Sequence, residues 1–212
     1  MSNVFEQRVG IFIDVQNMFY AAKHLYGSKL NFARLLDYVA RGRPLSRAIA
    51  YIVKTPEIDQ SNFITMLRSN GYEVRVKDLK QRPDGSAKGD WDMGLALDAL
   101  AMSEKLDVVA IVSGDGDFVE LVNHLKARGV RVEVYSFPYS TAEELRHAAT
   151  DYFQMGPEVV LNPQNRPPGR PGFQSEYNTG AYPTSGFQGI DDDRDVVFDT
   201  NGIRTFAGEQ VS

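Results

Sequence analysis

Short apolar segments alternate with helical segments along the first 155 residues, and this alternation restricts the fold more than any other feature of the sequence. RVGIFID (8–14), RAIAYIVK (47–54), DVVAIVS (107–113) and VRVEVYSF (130–137) have the length of buried strands and are largely apolar. Strands of this kind are typical of parallel sheets that helices cover on both faces. The pattern therefore predicts an α/β chain with a three-layer Rossmann-like fold and a central, mainly parallel sheet.

Two further strands and six helices complete the predicted order of elements. YEVRVKDL (72–79) alternates as a strand with one solvent-facing side does, and DYFQM (151–155) is a short last strand. Ser140 and Glu143 have the spacing of a capping box at the start of the last helix. The predicted helices span residues 15–27, 31–42, 55–71, 91–106, 117–129 and 140–149.

The composition changes after residue 156 and divides the 212-residue chain into three parts. Residues 1–156 carry the predicted α/β domain. Residues 157–189 are rich in Pro, Gly, Asn, Ser and Gln, a low-complexity composition typical of a disordered linker. Residues 190–212 form an acidic tail in which VVFDTNGIRTF predicts a short hairpin. The formal net charge is −5, and residues 157–212 carry eight acidic and four basic side chains, so the domain itself is nearly neutral.

Residue types that are missing exclude several classes of site. The chain has no cysteine, which excludes disulfides, cysteine nucleophiles and cysteine-type zinc sites. There is no apolar run of about 18 residues, so we expect no contact with a membrane through a spanning helix. A reducing cytoplasm is the expected location.

Three aspartates stand where the predicted elements should bring their carboxylates together. Asp14 ends the first strand, Asp115 follows the strand at 107–113, and Asp92 opens the helix at 91. Functional groups of open parallel sheets gather at the carboxyl ends of the strands, near the change in strand order. If the strands that lead to Asp14 and Asp115 are neighbours, these two residues meet at one edge, and Asp92 can reach the same point.

Neighbouring polar residues have both a local and a functional interpretation. Asp117 sits where a helix N-cap belongs, yet it can also complete the site. Asp90 is interpreted mainly as a helix cap, and Asp98 as a satisfied buried acid or a support for the site. Asn17 can cap its helix or share in binding, and Ser113 is a supporting residue.

Carboxylates that converge without a nearby arginine repel one another, and a cation offsets that repulsion. Mg²⁺ and Mn²⁺ prefer oxygen ligands and commonly pair protein carboxylates with substrate phosphates. The expected cofactor is therefore Mg²⁺ or Mn²⁺, and the expected chemistry is attack of activated water on a phosphodiester.

Three elements, IFIDVQNMF, KGDWDMGLALDAL and VVAIVSGDGDFVELVNHLKARGVRVEVYSF, resemble the NYN-domain family. They are most similar to its LabA-like branch within the PIN-like nuclease superfamily, and the resemblance covers roughly residues 8–155. It implies a Rossmann-like sheet, an acidic metal site and cleavage of RNA. Through the matching motifs it also implies which acids are catalytic and bind metal: Asp14, Asp92, Asp115 and Asp117, with Asn17 close by.

A basic segment leads directly into the acids at 90–92 and is the predicted RNA-binding surface. Cationic side chains beside a metal site suit a phosphate backbone, although a solvated loop is the alternative interpretation. Trp91 can stack on a base or pack in the core. The predicted RNA-binding residues are Arg75, Lys77, Lys80, Arg82, Lys88 and Trp91. A second, weaker basic patch consists of Arg41, Arg43 and Arg47.

Three functions are compatible with these features. The first is a metal-dependent ribonuclease acting on single-stranded or structured RNA. The second is a non-catalytic RNA-binding or regulatory adaptor, in which the aromatic, acidic tail contacts a protein partner. The third is a small-substrate phosphatase or nucleotidase, against which the missing second aspartate of a phosphatase motif argues. The sequence also leaves room for a homo-oligomer.

Overall fold

The computed structural model describes residues 6–54, 58–81, 87–88, 91–162, 196–198 and 204–206. The strands in these ranges are β1 (Val9–Asp14), β2 (Leu45–Lys54), β3 (Glu73–Asp78), β4 (Lys80–Gln81), β5 (Ala87–Lys88), β6 (Val108–Val112), β7 (Arg131–Ser136), β8 (Asp151–Gln154), β9 (Val196–Phe198) and β10 (Arg204–Phe206). The α-helices are α1 (Val15–Tyr26), α2 (Phe32–Ala40), α3 (Ser61–Ser69), α4 (Asp92–Met102), α5 (Val119–Ala127) and α6 (Glu143–Ala148). None of these described helices has the length and apolar character needed to cross a membrane.

Six strands form one all-parallel sheet in the order β3-β2-β1-β6-β7-β8. The order reverses between β1 and β6, which lie side by side with Ile13 opposite Val112. Such a switch point leaves a crevice at the carboxyl ends of the two neighbouring strands. The predicted α/β fold is confirmed, and so is the pairing of the strands that lead to Asp14 and Asp115.

Helices cover both faces of the sheet, because side chains of the central strands alternate between two cores. On β1, Ile11 and Ile13 pack in the core that includes α1, α2 and α3, whereas Phe12 packs in the core that includes α4, α5 and α6. All residues of β6 are buried, as a central strand of a covered parallel sheet requires. The three predicted layers therefore follow from the apolar character of the strands.

The start of α6 differs from the prediction, and the capping box is wrong. The helix begins at Glu143 with Ala142 as its N-cap, and no side chain caps it. The hydroxyl groups of Ser140 and Thr141 instead donate to the carbonyl of Phe137, at 3.1 and 2.9 Å. A turn after β7 therefore uses the polar side chains that the sequence pattern assigns to the helix.

Residues 157–162, which the sequence pattern assigns to the linker, pack against the domain. Val159 and Val160 are fully buried, and Val160 forms a β-bridge with Leu30. The N–H of Asn31 donates to the carbonyl of Val159 at 2.8 Å. The rest of the predicted linker lies outside the described residues. In the acidic tail, β9 pairs antiparallel with β10, while the residues of the predicted turn between them lie outside the described part of the chain.

The predicted second basic patch is not a free cationic surface, because each of its arginines has an intramolecular contact. Arg43 is buried and donates to both carboxylate oxygens of Glu133 at 2.8 Å. Arg41 lies 4.6 Å from the centre of the Phe153 ring, and Arg47 pairs with a glutamate of β3. Arg43 therefore belongs to the interior, while Arg41 is exposed and Arg47 is partly exposed.

Candidate metal centre

Asp14 lies at the carboxyl end of β1 and caps the N-terminus of α1. Its Oδ1 accepts a hydrogen bond of 3.1 Å from the N–H of Asn17. Capping explains an aspartate at this junction, but the carboxylate also lies next to Asp115. Burial raises the pKa of Asp14 to about 6, and the negative charge of Asp115 adds to this effect. The hydrogen bonds that the carboxylate accepts act in the opposite direction but do not outweigh burial. The ionised form of Asp14 is therefore held in an unfavourable environment.

Asp115 lies shortly after the buried end of β6, beyond Ser113 and Gly114, and caps a short 3-10 helix, Gly116–Phe118. Its Oδ1 accepts a hydrogen bond of 3.0 Å from the N–H of Asp117. The Oγ of Ser113 accepts from the N–H of Asp115 at 3.2 Å, and Ser113 also bonds to Asp14. Burial raises the pKa of Asp115, and the negative charge of Asp117 adds to the effect. The capping role considered for Asp117 thus belongs to Asp115, while Asp117 itself is exposed.

Asp92 reaches the site through the position of α4, of which it is the first residue. The preceding Trp91 anchors this helix: its Nε1–H donates to the carbonyl of Ile52 at 2.9 Å, and its ring lies 5.4 Å from that of Tyr51. Gly94 leaves room for the indole, because a Cβ there would lie 2.4 Å from the ring. Of the two interpretations of Trp91, the structure favours packing, which fixes the start of α4.

Asp14, Asp92 and Asp115 converge at the switch point of the sheet. Carboxylate oxygens of the three residues lie within 4.8 Å of one another. The largest influences on the pKa values of Asp14 and Asp115 are burial, hydrogen bonds and neighbouring carboxylates. Oxygen donors at this spacing fit a hard divalent cation, and the mutual repulsion of three carboxylates favours binding one.

Asn17 joins the two loops that carry the acids. Its Oδ1 accepts a hydrogen bond of 3.0 Å from the N–H of Gly114, while its own N–H donates to Asp14. The carbonyl of Gly114 accepts from the N–H of Ala142 at 2.9 Å. A Cβ on Gly114 would lie 1.9 Å from the carbonyl oxygen of Ser140, so only glycine fits here. The loop after β6 is therefore held from both sides.

The fold and these motifs can be compared with known proteins. The family profile described as the NYN domain matches residues 8–156. This chain belongs to the NYN-domain family. The match includes all three converging aspartates.

Two relatives of this NYN domain support the assignment. The Low amplitude and bright protein LabA of Synechococcus elongatus is 34% identical over 157 residues, which cover 70% of this chain and 83% of LabA. The crystal structure of a Vibrio parahaemolyticus protein of unknown function aligns with a TM-score of 0.69 and 34% identity, covering 76% of this chain and 100% of that chain. Neither name specifies a reaction, so the reaction must be inferred from the site.

Several predicted site residues of the NYN domain lie beside the cluster rather than in it. Asp98 accepts a hydrogen bond of 2.9 Å from the hydroxyl of Tyr51 and pairs with Arg75 at 3.4 Å. The ammonium group of Lys77 lies 5.4 Å from the centre of the Trp91 ring. Arg75 and Lys77 therefore contact the helix that carries one of the acids, on the side of the edge strand β3.

Four predicted residues cannot be placed by their side chains. Asp90 and Arg82 lie outside the described residues. Lys80 and Lys88 stand opposite each other on the paired strands β4 and β5, and their side chains lie outside the described part of the chain. Their roles stay predictions.

The sequence pattern misses the turn at 137–142, which supports the acid loop of the NYN domain. The contact of Gly114 with Ser140 joins residues that are far apart in the chain. The one signal for it is the pair of glycines in SGDGD, since a glycine often marks a close approach of two backbones. That signal does not tell which segment approaches.

Proposed function

We propose that this NYN domain is a divalent-metal-dependent ribonuclease that hydrolyses phosphodiester bonds of single-stranded or structured RNA. The observation that carries the proposal is the convergence of three carboxylates within 4.8 Å at the switch point. Membership of a family whose motifs imply RNA cleavage supports RNA as the substrate. We assign Mg²⁺ or Mn²⁺ as the cofactor, Asp14, Asp92 and Asp115 as its ligands, Asp117 as an outer acid, and Asn17 and Ser113 as supporting residues.

The residues of the cluster fit such a cation. All three donors are carboxylates, which suit Mg²⁺ and Mn²⁺ better than softer metals. The raised pKa of Asp14 reflects crowded and buried negative charge, which a cation offsets. When bound, a divalent cation supplies Lewis-acid chemistry, because it polarises a phosphodiester and makes water more acidic.

The chain's own residues orient the reacting groups. Hydrogen bonds from the N–H groups of Asn17 and Asp117 fix one oxygen each of Asp14 and Asp115. These hydrogen bonds hold both carboxylates in place at the crevice. Because the acids sit on a rigid strand end and a capped turn, the site is organised before RNA binds, which lowers the cost of orienting the reactants.

We assign the RNA path to the side of β3 and α4. Arg75 is about half exposed, and Lys77 lies next to it on the edge strand. Both flank the start of α4, so a phosphate backbone that passes over them leads to the acids. We add to this surface the residues of the basic segment whose side chains remain predictions: Lys80, Arg82 and Lys88. Trp91 is assigned to positioning α4.

The test is metal-dependent cleavage of mixed RNA substrates by the purified full-length chain and by Asp115→Asn. The matched control is Asp107→Asn, since Asp107 stands at the opposite end of the same strand and pairs with Arg8 at 3.0 Å on the surface. Wild type and Asp107→Asn should cleave with Mn²⁺ or Mg²⁺, and Asp115→Asn should be slower by more than about 100-fold. Equal cleavage by all three proteins would indicate a contaminating nuclease and refute the proposal.

Other outcomes would favour the two alternative functions. Metal-independent RNA binding without cleavage would indicate a regulatory adaptor. Hydrolysis of p-nitrophenyl phosphate without cleavage of RNA would indicate a small-substrate phosphatase or nucleotidase. The intact acid cluster argues against the adaptor.

We further propose a cytoplasmic protein with one NYN domain, followed by a linker and an acidic tail that contacts a protein partner. The domain should extend to about residue 162, because Val159 and Val160 belong to its core. Homo-oligomer formation is a further prediction, which light scattering of the full chain tests.

A further inference from the structure

The turn after β7 carries a residue in a backbone conformation that its side chain disfavours. In the segment Phe137-Pro138-Tyr139-Ser140, Tyr139 has φ +65°, and the N–H of Ser140 donates to the carbonyl of Phe137 at 3.4 Å. Proline at the second position and a positive φ at the third are the pattern of a type II turn, whose third position favours glycine or asparagine. Tyrosine at this position is therefore strained.

No local requirement explains this tyrosine. Among the described residues, Arg41 is the other non-glycine residue with a positive φ, and it is the C-cap of α2. Tyr139 caps no helix and is 60% exposed, so its ring adds little to the core. A strained and exposed aromatic residue points to a functional constraint.

The turn is fixed by contacts with Gly114, in the loop that carries Asp115 of the acid cluster. The carbonyl of Ser140 lies against Gly114, and the N–H of Ala142 donates to the carbonyl of Gly114. The hydroxyls of Ser140 and Thr141 both bond to the carbonyl of Phe137. The exposed ring is thus presented from a well-bonded support close to the candidate metal centre.

A cavity of about 550 Å³ opens beside this turn. Its volume lies in the range of small-ligand sites, about 300–1,000 Å³. Tyr152 shares a hydrogen bond of 3.1 Å with Thr141, and the guanidinium of Arg146 lies 5.5 Å from the centre of its ring. Glu143 also lines the cavity and pairs with Arg146 at 3.6 Å. The walls offer aromatic rings, hydrogen-bonding groups and a cation from Tyr26, Tyr139, Thr141, Arg146, Tyr152 and Gln154.

We propose that this cavity binds an unpaired nucleobase of the RNA, with Tyr139 stacking on the face of the base. The choice of RNA rests on the proposed function. Single-stranded bases stack on aromatic side chains and expose edges that polar groups such as Thr141 and Gln154 recognise, and Arg146 suits the adjoining phosphate. Because the turn contacts the acid loop, the bound base belongs to a nucleotide near the phosphodiester that is cut.

The first experiment measures equilibrium binding of a fluorescein-labelled single-stranded RNA to the full-length chain carrying Asp115→Asn, so that cleavage does not interfere. In this background, Tyr139→Gly should weaken binding roughly 5- to 100-fold, and Tyr139→Trp should retain it. Glycine suits the turn better than tyrosine, so the variant should unfold at the same temperature as its parent or higher. Leu45→Ala, which removes another exposed apolar side chain, at the start of β2 and so at the end of the sheet opposite the acids, should leave binding unchanged.

The second experiment scans an abasic nucleotide along the same RNA. The parent should lose affinity at one position, and Tyr139→Gly should show no further loss there, because the stacking partner is already absent. Three results would each overturn the subsite. They are an unchanged affinity of Tyr139→Gly for the RNA, a loss of affinity by both proteins at every abasic position, and no RNA binding by the parent.

The two proposals fail in different ways. Tyr139-dependent binding by a wild-type protein that never cleaves RNA would refute the nuclease and keep the subsite. Metal-dependent cleavage with unchanged binding by Tyr139→Gly would refute the subsite and keep the nuclease.

Discussion

Replacing Asp14 by asparagine should stabilise the metal-free protein while removing a metal ligand. The asparagine Oδ1 can still accept the hydrogen bond from the N–H of Asn17, so the cap of α1 is retained. What disappears is a carboxylate that must ionise in a buried place beside Asp115. Sites that hold such charges sacrifice stability for function.

The magnitude follows from the pKa of Asp14, which burial raises from 3.8 to about 6. Each pKa unit corresponds to about 1.4 kcal/mol, so the ionised carboxylate destabilises the fold by about 3 kcal/mol above pH 6. Because the folded pKa is the higher one, the unfolded chain releases this proton first as the pH rises. The loss of stability therefore begins near pH 3.8 and is complete above about pH 6.

Urea denaturation at pH 4, 5, 6 and 7.5, in the presence of a chelator, measures this effect. Asp14→Asn should raise the free energy of unfolding by about 3 kcal/mol at pH 7.5 and by less than about 1 kcal/mol at pH 4. Asp107→Asn is the control of opposite sign, since hydrogen bonds from Arg8 lower the pKa of Asp107 and its loss should not stabilise. Mn²⁺ should then stabilise wild type but not Asp14→Asn.

A gain in stability that is the same at pH 4 and pH 7.5 would refute this reasoning, because it would not arise from ionisation. An Asp14→Asn variant that is less stable than wild type at pH 7.5 would show that the carboxylate is a structural cap above all.

Three further predictions concern the frame of the site. Asn17→Ala removes the acceptor of the Gly114 N–H. Cleavage kinetics should show a rate that is about 10- to 100-fold lower, and urea denaturation should show a loss of about 1 kcal/mol in the free energy of unfolding. Gly114→Ala should destabilise the fold by more than about 2 kcal/mol, because the added Cβ would lie 1.9 Å from a backbone oxygen. Gly116→Ala should cost less, because its Cβ would meet the flexible end of a side chain at 2.9 Å. Thermal unfolding of the two variants measures the difference. Arg43→Met should cost about 1.5–3 kcal/mol in urea denaturation at pH 7, because the buried Glu133 loses two hydrogen bonds and keeps Arg131 at 3.5 Å and the hydroxyl of Tyr135 at 2.8 Å as partners. Burial opposes the ionisation of Glu133, but the hydrogen bonds that its carboxylate accepts outweigh burial and lower its pKa. In wild type, the stability that comes from the ionised Glu133 is therefore present above pH 4.5 and is lost as the pH falls through the lower pKa of the folded state. An Arg43→Met protein as stable as wild type would contradict the buried pair.

The positions of two acids could be predicted because each lies at, or shortly after, the end of a strand. Asp14 and Asp115 end or follow apolar segments whose parallel pairing places their carboxyl ends at one edge. The position of Asp92 was harder to predict, because it depends on how α4 crosses the sheet. The anchoring of Trp91 on Ile52 and Tyr51, which sets that crossing, joins residues about 40 positions apart.

Charge in the sequence was a poorer guide than apolar pattern. A run of arginines suggests an exposed surface, yet Arg43 pairs with Glu133, which lies 90 residues away. Ser140 and Glu143 have the spacing of a cap, yet the turn after β7 takes the hydroxyl of Ser140. Polar side chains act through single directed contacts, and their partners are set by the packing of distant segments.

The sequence by itself determined the alternation of elements, the covered parallel sheet and the carboxyl-end aspartates, since these depend on local periodicity and on burial of apolar strands. Only the tertiary structure decided that three carboxylates meet within 4.8 Å, that Asn17 and Ala142 hold Gly114, and that a strained Tyr139 stands beside a cavity. The physical reason is the distance along the chain between the residues that must interact. Apolar burial is non-directional and can be predicted from a few residues, whereas hydrogen bonds and charge clusters need exact partners that the chain supplies from far away.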